Sequence, residues 1–438
     1  MYVRHTRRLT TRLPQVATAF VVLALAGCGD GPYAGSGFGG TGGGGGTGGG
    51  GTGGGGTGGG VGTGGTGSGS TGGTGDSGTG GGGIGGAGGA GDGTGSAGSV
   101  GGSVGGSVGG SVGGSVGGQA VVTLQPWPTS DAVVAVDSMN QFTSNLSDLV
   151  YQAPSGGVGE VLWGIRNDPS TLYCLVWNGT TWAGMTDDGW TNGKTLRYPT
   201  GSGSPDAEGL ARAELSSTAI YVSAERDNSA GNVSRLSVLR YDYAWPTGTS
   251  LTATHEWNLT ADLPAAGANA GLEALTWIPD SYLLATGFFD AAANAVYDPS
   301  RYPDHGTGLF FVGLEATGMI YGYALDHAAG TFTRVAAIPS GNSGVMALYF
   351  DRDIGNLWTY CDNTCTNHAS VLRMSSGRFT LQYLFNRPAT LSNSNFEGIA
   401  IAPESECVQG KKSFFWSDDS NSGGHAIYRG SIPCGRLP

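Results

Sequence analysis

Three short runs open an apolar stretch with a carboxylate: Asp206-Ala207-Glu208-Gly209-Leu210-Ala211, Gly271-Leu272-Glu273-Ala274-Leu275 and Phe396-Glu397-Gly398-Ile399-Ala400. Asp206, Asn269 and Asn395 stand just ahead of these openings. A second oxygen-bearing set follows a later β-rich run of its unit: Glu225, Asp227 and Asn228, then Asp362 and Asn363, then Asp418 and Asp419. Carboxylates that face one another do not all stay ionised unless a positive charge neutralises them. A hard cation held by carboxylate and amide oxygens, most naturally calcium, supplies that charge. The expected metal ligands are Asp206, Glu208, Glu225, Glu273 and Glu397, with Arg226, Asp227, Asn228, Asn269, Asp362, Asn395, Asp418 and Asp419 around them. Arg226 could do the same work without metal. The competing structural reading is that each glycine permits close strand approach and each glutamate caps loop amides.

Other chemistries find less support. The region after Gln119 contains no Gly-x-Ser-x-Gly elbow and no His-Glu-x-x-His. His255, His327 and His368 are scattered, while His305 and His425 sit in loops that could reach a mouth. Trp182, Trp190 and Trp416 could stack on a sugar or pack between sheets. Asp351–Asn356 reads as a turn; as a calcium loop it is too short and lacks the terminal glutamate.

Distant acids converge only if repeated elements bring them together. From Gln119 onward the chain shows short runs rich in Val, Tyr, Phe, Trp and Thr, separated by Gly, Asp, Asn and Ser turns. Expected strands include Val161–Ile165, Leu172–Trp177, Ala219–Ala224, Tyr282–Ala285, Leu309–Val312 and Phe414–Ser417. Openings at Leu146, Glu208, Glu273, Val345 and Glu397 divide the region into five units. The last unit is one strand short, so Val121–Leu124 or Ala132–Val136 would supply the missing edge and close a ring. The expected class is all-β, a five-bladed β-propeller, with six blades as the alternative if Glu273–Ser343 hides an extra one. A two-sheet sandwich is the rival, and it leaves the repeated openings unexplained.

The remainder of the 438-residue chain is of another kind. Basic residues precede a short apolar run, Val16–Ala26, which ends Leu25-Ala26-Gly27-Cys28. This reads as an export signal, residues 1–27, whose end resembles the lipobox of bacterial lipoproteins. That resemblance implies lipid on Cys28 and a membrane anchor in the bacterial cell envelope. Gly29 rather than Asp follows the cysteine, which favours the outer membrane or cell surface over inner-membrane retention. Residues 28–118 hold most of the 86 glycines and form a low-complexity, disordered tether of roughly 50–60 Å r.m.s. span. The folded domain is expected at 119–438.

The whole chain carries a net charge of −12; removing the four arginines of residues 1–27 leaves 17 basic against 33 acidic residues, or −16. Such a surface excludes nucleic acid as a partner. The expected form is a monomer whose partner is a small ester or a protein. Export favours disulfides, Cys361 with Cys365 and Cys407 with Cys434, with Cys174 left as a buried thiol. A metal site from Cys361, Cys365 and His368 is the weaker alternative.

The stretches 206–211, Ile220–Asn228 and 395–400 resemble the signatures of the phytase-like "esterase-like" β-propellers and the related SdiA-regulated propeller family. That resemblance spans about residues 140–430 and implies ester or phosphate-ester hydrolysis. By a calcium-phytase mechanism, Asp206, Glu208, Glu225, Glu273 and Glu397 would hold cations that grip phosphate and activate water. Two features depart from it. Basic residues near the motifs are few (Arg226, with Arg212 and Arg387), and the repeat Gly344-Val345-Met346-Ala347 lacks the carboxylate.

Overall fold

The computed structural model describes residues 122–155, 159–231, 233–244 and 248–437. The expected export signal, the expected lipidation site Cys28 and the expected glycine-rich tether lie outside them.

Five sheets, antiparallel except for a parallel edge strand on two of them, radiate from a common axis, each entered by the strand nearest that axis. These innermost strands are Leu146–Gln152, Pro205–Ala211, Leu272–Pro279, Ala347–Asp351 and Phe396–Ile401. Each touches the next around the ring, and the fifth returns to the first. The molecule is therefore a five-bladed β-propeller.

The ring closes through the N-terminal end of the domain. Blade 5 contributes Phe396–Ile401, Lys411–Asp418 and Ile427–Pro433, and Val134–Ala135 pairs antiparallel on its outer edge. Leu124–Gln125 adds a parallel edge to the outermost strand of blade 4, Arg378–Phe385. Between these strands Trp127 packs on Trp358, Phe385, Phe414 and Trp416, and its indole N–H donates to the Ser431 carbonyl at 2.9 Å. One segment thus latches two blades.

The hydrophobic core is divided among the blade interfaces. Trp163, Leu210 and Tyr241 meet between blades 1 and 2; Trp257, Leu275 and Tyr323 between blades 2 and 3. Phe311, Leu348 and Leu357 fill the next interface, Trp358, Ile399 and Trp416 the fourth, and Leu149, Trp182 and Phe415 the last. Trp182, Trp190 and Trp416 are all buried. They pack rather than present a sugar platform, as residues with such large apolar area do when two sheets meet.

Two expectations about elements are corrected. Tyr282–Ala285 belongs to a helix, Asp280–Ala285. Pro279 fixes an extended backbone at its start, Asp280 sits in the first turn, and only Leu283 is buried. The extra length of blade 3 is this helix plus a small hairpin, Phe289–Asp290 with Ala295–Val296, inserted before Gly308–Leu314. It hides no sixth blade.

Cys361 pairs with Cys365, and Cys407 with Cys434. The Cys361–Cys365 bond removes the thiolates that the alternative metal site required. No described cysteine is free. Cys174, fully buried in Thr171–Trp177, is therefore not the free thiol expected of it.

Candidate functional site

The first strands of four blades carry a backbone irregularity at the site, and blade 4 has a continuous ladder. Register slips between Ala207 and Gly209, between Leu272 and Ala274, and between Phe396 and Gly398. The residue left over at each slip is Glu208, Glu273 or Glu397. A β-bulge of this kind re-aims one side chain without breaking the strand, and here each acid lines the channel mouth. Blade 1 has the same slip between Leu146 and Asp148, so Ser147 takes the equivalent position. In blade 4 it is Met346, whose N–H donates to the Tyr360 carbonyl at 2.9 Å. The inner ring is therefore Ser147, Glu208, Glu273, Met346 and Glu397.

The residue after each bulge explains the glycines. A Cβ on Gly209 would lie 2.6 Å from the Leu275 amide nitrogen, and one on Gly398 would lie 2.4 Å from the Asp148 Cα. Both glycines are there because the neighbouring blade's backbone comes too close for a side chain. Asp148 holds this place in blade 1 and staples three blades. Its carboxylate accepts from the amides of Leu149 (2.8 Å), Leu210 (2.8 Å) and Ile399 (3.3 Å).

An outer ring comes from the turns after each second strand. Glu225 and Arg226 end Ala219–Asp227, Asp362 follows Asn356–Tyr360, and Asp419 follows Lys411–Asp418. Asn167 and Asp168 after Val161–Arg166, and Glu315 after Gly308–Leu314, complete the set. Sequence reasoning missed Asn145, Asn167, Asp168 and Glu315. The signal was available, because Asn167, Asp168 and Glu315 occupy in blades 1 and 3 the places that Glu225, Asp362 and Asp419 occupy elsewhere.

Together the two rings enclose a cavity of about 380 Å³. Its walls carry nine carboxylates (Asp168, Asp206, Glu208, Glu225, Glu273, Glu315, Asp362, Glu397 and Asp419) and one cation, Arg226. Arg226 pairs with Asp206 at 2.6 Å and with Glu225 at 3.3 Å, and donates to the Ala268 carbonyl and to Asn269 Oδ1, the latter at 2.8 Å. Asn228 donates to Asp206 at 3.0 Å. Asn395 donates to Glu397 at 2.8 Å and to Asp419 at 3.3 Å. Asn167 reaches Glu208 at 3.3 Å.

Not every expected residue joins. Asp227 turns onto its own loop, accepting from the amides of Ser204 and Ser229 at 3.0 Å. Asp418 does likewise with the amides of Ser420 (3.1 Å) and Ser422 (3.0 Å). Both serve loop geometry, as short acidic side chains at strand ends commonly do. Asp362 lines the cavity but also accepts from the Thr364 amide at 3.0 Å. His305 lies elsewhere, buried 3.1 Å from Asp280, and His425 pairs with Asp137 at 3.0 Å. Arg212 is at the far end of its strand, and Arg387 binds the Leu391 carbonyl at 3.0 Å.

The electrostatics follow from burial and crowding. Burial, then repulsion from Asp206 and Glu225, holds Glu208 well above the usual carboxylate range. Glu273 is raised by burial and by Glu208, Glu225 and Glu397; Glu397 by burial, Asp419 and Glu208. Glu225 is pushed up to about 8, burial and Asp206 outweighing the Gly271 amide and Arg226. Acids from three different blades thus perturb one another across a single space.

No protein-family model matches the chain, and no curated protein matches it. The solved structures similar to it are distant. A chain of a mitotic checkpoint complex is 11% identical, covering 73% of this chain and 100% of its own, with a TM-score of 0.33. An oxidoreductase described as a glucose dehydrogenase, from Thermus thermophilus, is 11% identical over 68% of this chain and 99% of its own, TM-score 0.35. A chain of a nidogen/laminin complex is 11% identical over 67% and 87%, TM-score 0.30. Function is not to be read from such distances. What this chain can do must come from its own cavity.

The donor set there suits a hard cation. Oxygen ligand atoms of Asp206, Glu208 and Glu225 lie within 4.8 Å of one another. The Oδ1 atoms of Asn167 and Asp419 are buried without a hydrogen-bond donor. All these donors are oxygens, the chemistry calcium selects over softer metals.

Proposed function

We propose that the channel mouth is a divalent-cation centre, calcium first, which recruits an anionic ester and hydrolyses it. The observation that carries this reading is the single cavity in which nine carboxylates face one guanidinium. Asp206, Glu208 and Glu225 would hold the ion, and bound calcium would polarise a phosphoryl or carbonyl oxygen of the substrate. Glu273 and Glu397, outside that ligand set and held above the usual carboxylate range by burial and neighbouring acids, are the groups that can deliver a proton to a leaving oxygen. Arg226 sits at the rim as the one fixed positive charge for an approaching anion. The likeness of 206–211, 220–228 and 395–400 to phytase-like propellers supports the same reaction class.

The second reading is a non-catalytic binding propeller. Ser147 and Met346 interrupt the inner ring, and no histidine or lysine lines the cavity among the described residues. One experiment separates the two. The purified protein is analysed for bound calcium, then screened against phosphate and carboxylic esters with and without chelator. Chelator-sensitive turnover that Glu208→Gln abolishes supports the hydrolase. Bound calcium without turnover leaves the binding propeller, and absence of both ends the metal reading.

The same proposal places the propeller on a lipid anchor at Cys28, held off a bacterial envelope membrane by the glycine-rich tether. Globomycin treatment, or Cys28→Ser, is expected to leave an unprocessed precursor. A normally processed, acyl-free protein refutes the anchor.

A further inference from the structure

The opposite end of the channel carries a different mix of charges. Its lining comes from the far ends of the same innermost strands, among them Val150, Leu210, Trp277 and Phe350, around a cavity of about 130 Å³. Two arginines, Arg212 and Arg352, and two carboxylates, Asp351 and Asp353, stand in this otherwise largely apolar wall. Arg212 is only 4% exposed. Its Nη2 is spent on the carbonyls of Leu215 (3.2 Å) and Ser217 (3.3 Å) and on the Tyr243 hydroxyl (3.0 Å). Its Nε and Nη1 are buried and have no hydrogen-bond partner. Arg352 donates to the Arg212 carbonyl and lays its guanidinium 4.7 Å over the Trp277 ring.

Neither arginine forms an ion pair among the described residues. Of the nearby acids only Asp351 is ion-paired elsewhere, while Asp353 and Glu214 accept from neutral donors and act on Arg352 at longer range. Asp351 pairs with Lys412 at 2.7 Å, Asp353 accepts from the Glu404 amide at 2.8 Å, and Glu214 accepts from the Thr307 hydroxyl at 2.5 Å. A buried guanidinium with two idle N–H groups is costly, because it has lost water and gained no acceptor. Burial and the neighbouring Arg212 charge together hold Arg352 below its ordinary basicity.

We propose that this lower mouth binds a small amphipathic carboxylate, its oxygens between Arg212 and Arg352 and its apolar body against Leu210, Leu348 and Phe350. A planar carboxylate matches the guanidinium fork with two parallel hydrogen bonds. The cavity is smaller than drug-sized sites, so the occupant is a short chain or a single ring. Phosphate fits less well, since its remaining charged oxygens would face leucine and phenylalanine. The site lies at the other end of the channel from the carboxylate cavity and does not depend on a cation there.

Isothermal titration calorimetry of the full chain tests it with butyrate, benzoate, butyramide and inorganic phosphate. Butyrate or benzoate binds; butyramide and phosphate bind at least roughly tenfold more weakly, as loss of charge-assisted hydrogen bonds requires. Arg352→Gln weakens carboxylate binding by roughly ten- to a hundredfold, and Arg212→Lys does so while keeping the buried charge. A chelator leaves the titration unchanged, which separates this site from the upper mouth. Should Arg212→Lys fail to fold, Arg352→Gln and the amide comparison decide. Absence of carboxylate binding, equal binding of butyrate and butyramide, tighter phosphate binding, or undiminished binding by Arg352→Gln each overturns the proposal.

Discussion

At the residue scale, the acids of the upper mouth are held protonated by what surrounds them. Glu208, Glu225, Glu273 and Glu397 all ionise above the ordinary carboxylate range. In the metal-free protein the folded state therefore binds more protons than the unfolded chain between about pH 4.5 and 8. Stability falls as pH rises through that window, since deprotonation favours the unfolded state. Thermal melts in chelator are expected to show a declining Tm from about pH 5 to 8. Calcium at about a hundred times its Kd restores about 2.7 kcal/mol at the upper end. A flat profile would mean the acids are not coupled as the geometry requires. Glu208→Gln is expected to raise stability in chelator at about pH 8 and to remove the calcium response, because it deletes both a repelling charge and a ligand. Gly398→Ala has no such compensation: its Cβ would meet the Asp148 Cα and the Ser147 carbonyl at 2.4 Å. The cost is about 1–3 kcal/mol or more, read from urea midpoints.

At the element scale, blades 4 and 5 are joined by a buried ion cluster. Lys412 is 3% exposed and reaches Asp351 and Glu404, each at 2.7 Å. Lys412→Met leaves Asp351 buried and unpaired, and a loss of about 3–5 kcal/mol is expected in denaturant unfolding. The Cys407–Cys434 bond closes a loop of 27 residues at the end of blade 5. Chain-entropy arguments give it about 3–4 kcal/mol, so the double serine variant should melt well below the parent. Both features protect the blade completed by Val134–Ala135, which supplies only two residues of edge.

For the whole molecule, closure depends on the segment that spans the seam. Trp127 contacts aromatics of both blade 4 and blade 5. Trp127→Ala is expected to cost about 3–5 kcal/mol and to raise hydrogen exchange first in Ile427–Pro433. Uniform protection across all blades would show that the seam is not the weak point. The two mouths of this ring differ, with nine carboxylates against one arginine at the first and two arginines beside Asp351 and Asp353 at the second.

Much of this was legible beforehand because propeller blades repeat. The openings at Leu146, Glu208, Glu273, Val345 and Glu397 marked the five innermost strands, and the short last unit announced that an N-terminal strand must close the ring. The sequence could not distinguish Glu225 from Asp227, since which acid enters the cavity depends on where the ladder slips. It could not tell Ser147 from Asp148 at the pore for the same reason. Arg212 looked like a neighbour of the acids, six residues after Asp206, yet a strand carries its two ends to opposite mouths. Strand alternation and local propensity are written residue by residue. Register, bulges and the closeness of adjacent blades are set only when five sheets pack against one another, and those decide which charges share a space.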